Sequence, residues 1–78
     1  MKTLKSDIDV IDFLNTASDC RGDVWLYTAA GDEINLKSEL SKYVFLTAAA
    51  QPGVLETANV KVTAETDLKR LDRFFAEQ

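Results

Sequence analysis

The side chains able to do chemistry are few and poorly grouped. Ser38 and Ser41 stand in SELSKY with Lys42 beside them, the raw material of an activated hydroxyl. No base is paired with either serine in sequence, and a single lysine is too common to count as one. Asp7, Asp9 and Asp12 gather three carboxylates around residue 10, a set that could bind a cation or move a proton. Positions 7 and 9 are not helical neighbours, however, and no histidine accompanies them. A solvated, dipole-favoured first turn of a helix accounts for all three. Cys20 is the only cysteine, which excludes an internal disulfide and a cysteine-cluster metal site. A reactive thiol would need a cationic neighbour or a helix N-terminus, and only Arg21 is close; a small buried hydrophobe is the simpler role. Histidine is absent, which removes the commonest general base, the commonest metal ligand and all phosphohistidine chemistry. The glycines form no phosphate-binding loop. The expectation is a protein that is not an enzyme, with no catalytic residue, no cofactor and no metal.

Seventy-eight residues make one small domain, 1–78, whose single core must serve throughout. With 46% hydrophobic and 28% charged residues, one Pro and three Gly, the composition is that of a folded globular chain. Thirteen acids against nine bases leave a net charge of -4, so phosphate-backbone binding has no global electrostatic support. MKTLKSDIDV carries no apolar stretch of signal-peptide length, and no run reaches the roughly 18 to 20 apolar residues of a membrane span. A cytoplasmic protein without membrane or nucleic-acid partners is expected.

The elements that must position these residues follow from periodicity. KTLK, residues 2–5, has room only for a short strand or an extended lead-in. SDIDVIDFLNTA, residues 6–17, reads as a helix: Val10, Phe13, Leu14 and Ala17 make one buried stripe, and Ser6 with Asp9 forms a weak capping box. DVWLYT is the strongest strand signal, with Val24 and Leu26 on one face and Trp25 and Tyr27 on the other. AAGD, residues 29–32, supplies a hairpin turn with Gly31 available for positive φ, and EINLK returns with Ile34 and Leu36 inward. SELSKYVFLTAAA reads as a second helix whose inward stripe is Leu40, Val44 and Thr47, edged by Tyr43 and Leu46; Phe45 is left awkwardly placed. Pro52-Gly53 ends it. NVKVT is a third alternating strand, with Val60 and Val62 inward, and TDLKRLDRFFAEQ a last amphipathic helix with Leu68, Leu71, Phe74 and Phe75 inward. The order is strand, helix, strand, strand, helix, strand, helix. The fold class is α+β: an open-faced two-layer sandwich, an antiparallel sheet of three to four strands with three helices on one face.

That order, with NLKSELSKY at the junction of third strand and second helix, resembles HPr, the histidine-containing phosphocarrier of the bacterial sugar phosphotransferase system. FLNTASDCRGDVWLYT, residues 13–28, is similar to that family's first-helix end, loop and second strand, and DEINLKSEL to its third strand and lysine-serine junction. From residue 6 onward most of the chain can be laid on the family; the interval Thr47 to Thr57 is longer than usual. The family's phosphoryl-carrying histidine and the arginine two residues on fall at Ser6 and Ile8, neither of which can do that work. The resemblance therefore implies a degenerate, non-carrier paralogue from a Gram-positive source. It also places Ser38 on the family's regulatory phosphorylation site, from which the phosphorylated protein binds a transcription regulator. Serine is at the same time among the best N-caps, which alone explains a serine here. Glu39 would repel a phosphoserine, although the helix N-terminus would attract it.

Alternation puts Trp25, Tyr27, Asn35, Lys37, Lys61 and Thr63 on the sheet face that helices leave uncovered. Two aromatics ringed by polar residues suit an interface anchor, whereas packing of Trp25 over the stems of Lys37 and Lys61 suits an ordinary sheet. Both readings are open at this level. Trp25, Tyr27, Lys37 and Lys61 are the candidates for contact with a protein partner or a second copy, and Ser38 for regulation. Stacking of single-stranded RNA on the same face is opposed by the net charge and the lack of arginine there. The expected function is a non-catalytic HPr-like regulatory or protein-binding module. The alternative is an unrelated small α+β interaction domain, a homodimer or a toxin-antitoxin-like or phage-encoded accessory protein, acting through the open sheet face.

Overall fold

A computed structural model describes residues 2–51 and 53–76. Four strands form one antiparallel sheet in the order β1-β4-β2-β3: β1 Lys2–Thr3, β2 Val24–Tyr27, β3 Glu33–Asn35 and β4 Asn59–Val62. The helices are α1 Val10–Ser18, α2 Glu39–Ala49, the single turn α3 Val54–Thr57, and α4 Thr66–Leu71, which runs on into a 3-10 turn at Asp72–Phe74. This is a small α+β domain with three longer helices, and the short first strand does form. Alternation sorts the sheet as the sequence indicates. Val24, Leu26, Ile34, Leu36 and Val60 are buried among helix residues, while Trp25 and Tyr27 stay half-buried on the other face. The hairpin closes through Thr28–Asp32, where the Gly31 N–H donates to Thr28 O at 3.0 Å and Gly31 adopts φ +92.

Three expectations are corrected. The first helix starts at Val10 and not at Ser6: Asp9 is its N-cap, accepting the Asp12 N–H on Oδ1 at 3.1 Å, while Ser6 and Asp7 form a turn before it. Between the two polar candidates the later one wins, and Ile8 packs against the core instead of continuing a helix. The second helix is rotated from the expected stripe. Phe45 is fully buried (0% exposed), whereas Leu40 (74%), Tyr43 (66%), Val44 (51%) and Thr47 face solvent. The cause is packing: the Phe45 ring meets Phe13 edge-on at 5.9 Å between centroids, and Phe13 meets Phe74 in the same manner at 5.2 Å. The edge-on contacts of Phe45 with Phe13, and of Phe13 with Phe74, fix which side of the helix turns inward.

The last helix is shorter than expected. After Leu71 the chain tightens, and Phe75 becomes extended and bridges Leu4. Lys5 N–H donates to Phe74 O and Ala76 N–H to Thr3 O, both at 2.9 Å, so the chain end satisfies the backbone beyond β1 rather than its own helix. Phe74 and Phe75 are still both buried. Pro52, expected with Gly53 to end the second helix, and Glu77 and Gln78, expected in the last one, lie outside the described residues.

Candidate functional site

Ser38 occupies the N-cap position of α2 with extended backbone, φ -86 and ψ 131, yet its hydroxyl makes no capping hydrogen bond. The cap is held by the backbone: Ser38 O accepts the Lys42 N–H at 3.2 Å, and Ser38 N–H donates to Asn35 O at 3.1 Å. The side chain is exposed, so its oxygen is free to face solvent or another molecule. Glu39 beside it is tied to Lys42, Nζ to Oε1 at 3.2 Å, with the lysine largely covered and the glutamate largely exposed.

From this cap the outer side of α2 carries Leu40, Tyr43, Val44 and Thr47 at the i, i+3, i+4, i+7 spacing, all exposed, with no charged residue among them. A solvent-facing helix side ordinarily carries charge. Three large apolar side chains grouped in this way are the kind of patch that marks an interaction surface. The sequence contained the signal, since Leu40 and Val44 are obvious, but periodicity assigned them to the core because it could not weigh them against Phe45.

The open sheet face holds the other candidates in a different arrangement. Trp25 lies across from Asn35 on β3 and Lys61 on β4, and Tyr27 across from Glu33 and Asn59. Both aromatics are only half-exposed between these neighbours, and Lys61 is exposed. Lys37 is taken out of that ring. Its ammonium donates to Ser18 O at 2.9 Å and to Cys20 O, the carbonyls that end α1 and begin the following turn. A cation at the C-terminal end of a helix meets unpaired carbonyls and the negative end of the dipole, which is why the side chain curls back.

Periodicity gave no notice of Asp67. It is fully buried in the first turn of α4 and accepts two backbone N–H bonds, from Arg21 at 3.0 Å and Gly22 at 2.9 Å. Burial pushes its carboxyl upward, but the Gly22 and Arg21 donors, with the Arg70 and Lys37 cations nearby, outweigh it and hold the carboxyl below its ordinary value. The turn 18–22 is thus clamped from both sides, carbonyls on Lys37 and N–H groups on Asp67. Gly22 is required within it: a Cβ there would lie 2.5 Å from Thr63 Oγ1 and 2.9 Å from Ala64 N. Cys20, next to this clamp, is buried, and burial with the nearby Asp67 charge pushes its thiol above the usual value. This cluster fixes where β2 begins and presents no open group to a ligand.

No known protein family, curated protein or solved structure matches the chain. Among the described residues no helix is long and apolar enough to cross a membrane, and no three His, Cys, Asp or Glu side chains converge as metal ligands would.

Proposed function

We propose that this chain is a non-catalytic, HPr-like regulatory module of the cytoplasm that works by binding another protein through the outer face of α2. One observation carries the reading: Leu40, Tyr43 and Val44 stand 51–74% exposed on consecutive turns of one helix, directly beyond the uncommitted hydroxyl of Ser38. The strand and helix order of the domain, apart from the added turn α3 in the long interval, supports the likeness on which the family reading rests. Ser6 and Ile8 stand where that family needs histidine and arginine, so phosphoryl transfer is not part of the proposal.

Ser38 has the geometry of a modifiable residue. A phosphate there would sit at the N-terminus of an 11-residue helix and draw Lys42 away from Glu39. Such a group at the edge of an apolar patch alters which partners the patch accepts. The reading is tested by capture from source-cell extract with wild type, Leu40→Ser/Val44→Ser and Trp25→Ala as baits, and by incubation with an HPr serine kinase using Ser38→Ala as control. It requires a partner retained by the Trp25 variant and lost by the α2 variant. Retention by the α2 variant and loss with Trp25→Ala would favour the second reading, an interaction domain acting through the sheet face of Trp25, Tyr27 and Lys61. That face has its aromatics already half-covered by cross-strand neighbours, so it is the weaker anchor.

A further inference from the structure

The apolar stripe of α2 does not stop on the helix. One turn beyond Val44 stands Ala48, which lines an open cleft of about 510 Å³ between α2, the β2–β3 turn and α3. Ala29, Ala30 and Val54 give the cleft apolar walls, and Thr28 and Asp32 stand at the hairpin side. Asp32 is fixed in place: the Thr28 hydroxyl donates to its Oδ2 at 3.3 Å, and its own N–H donates to Thr28 Oγ1 at 3.2 Å. Among the described residues no lysine or arginine pairs with that carboxylate. The helix patch and the cleft are therefore continuous, apolar along α2 and acidic where the hairpin closes over its C-terminal end. At the other end of the patch, Glu39 already occupies the nearest cation, Lys42.

A second copy of the chain does not suit this surface. Self-docking of this 11-residue helix, about 16 Å long, would offer Asp32 no free cation from the patch, since Lys42 is held by Glu39. Each copy also carries a net charge of -4, which opposes close approach. The same charge, and the unpaired Asp32, attract a basic partner.

We propose that the partner of the α2 face, if the function proposed above is right, presents an amphipathic segment whose apolar side lies along Leu40, Tyr43 and Val44 and whose lysine or arginine enters the cleft against Asp32. The apolar contacts supply the attraction and the ion pair sets the register and direction of the segment. An acidic segment is rejected, because its charge would meet Asp32 with no cation between them.

The test uses the isotope-labelled full chain and two defined probes, a 14-residue amphipathic Leu/Lys peptide and its Leu/Glu counterpart, followed by amide shift mapping. The Leu/Lys peptide should move the amides of residues 28–32 and 40–51 and bind at least about tenfold more tightly than the Leu/Glu peptide. Asp32→Asn should weaken it about threefold to tenfold, and Glu65→Gln, which removes a different exposed acid, should not. Leu40→Ser/Val44→Ser should weaken it about tenfold or more. If that double variant binds as wild type does, or the shifts fall elsewhere, the docking reading and the partner chemistry both fall. If the double variant loses binding but Asp32→Asn does not, or both peptides bind equally, only the basic-partner proposal is overturned.

Discussion

Asp67 offers the sharpest test of how the domain is held. Asp67→Ala would strand the N–H groups of Arg21 and Gly22 in a buried turn, each at a cost of about 1–3 kcal/mol. The sum, about 2–6 kcal/mol, is to be compared with the roughly 4–12 kcal/mol expected for a domain of this length. Alanine is therefore expected to remove about half of the domain's stability. Asp67→Asn is the more informative variant, because it keeps the shape. Its carbonyl oxygen can serve one N–H, but its amide then points a donor at the other, a loss of about 2 kcal/mol. At about 4–8 °C per kcal/mol for a domain of this size, the Asn variant should melt about 8–16 °C below wild type. Urea unfolding followed by the fluorescence of Trp25, three residues after the clamped turn, should show a lower midpoint with unchanged slope.

The pH dependence of that difference follows from the direction of the shift. The folded carboxyl titrates below its unfolded value of 3.8, so the unfolded chain binds the proton more readily. The contribution is fully present above the unfolded value and is lost as pH falls below 4 and through the folded value. The stability gap between wild type and Asp67→Asn should thus be constant from pH 7 to 5 and narrow below about pH 4. An Asn variant as stable as wild type at pH 7, or a gap that widens in acid, would refute the clamp.

The rotation of α2 predicts very unequal effects at adjacent positions: Phe45→Ala should cost about 3–5 kcal/mol in urea unfolding, and Val44→Ala about 0.5 kcal/mol or less. Because the Ser38 hydroxyl makes no cap bond, Ser38→Ala should cost only a few tenths of a kcal/mol; Asp9→Ala, which removes a made one, should cost about 1 kcal/mol by the same measurement. Gly22→Ala must displace Thr63 Oγ1, which accepts the Asp23 N–H at 2.8 Å, and should lower stability by about 1–3 kcal/mol despite adding one methyl group.

Three of the four strands were legible because each carries a single signal; Lys2–Thr3 was left open between a short strand and an extended lead-in. In EINLK and NVKVT every second residue is apolar, and in DVWLYT aliphatic Val24 and Leu26 alternate with aromatic Trp25 and Tyr27, so one period fixes both the element and its buried face. The first helix was legible for the same reason, its stripe of Val10, Phe13, Leu14 and Ala17 having no rival. The second helix has apolar residues all round. Its orientation depends on Phe45 meeting Phe13 from another element, which no local pattern encodes. The site inherited that error: its apolar anchors were visible as residues and invisible as surface. Lys37 and Asp67 were missed for a related cause. Both act on the backbone of a turn distant in sequence, Lys37 on Ser18 and Cys20, Asp67 on Arg21 and Gly22, and only the folded topology brings them there. Ser38 was placed correctly at the cap, but the sequence could not show that its hydroxyl is unused.

The claim that α2 is a docking face is tested most directly by photo-crosslinking in the source cell. A benzophenone side chain at position 43, on the exposed stripe, is compared with one at position 69, exposed on α4. A discrete adduct to one other protein is expected from position 43, absent from position 69 and abolished by Leu40→Ser/Val44→Ser. No adduct from position 43, or the same adducts from both positions, would contradict it.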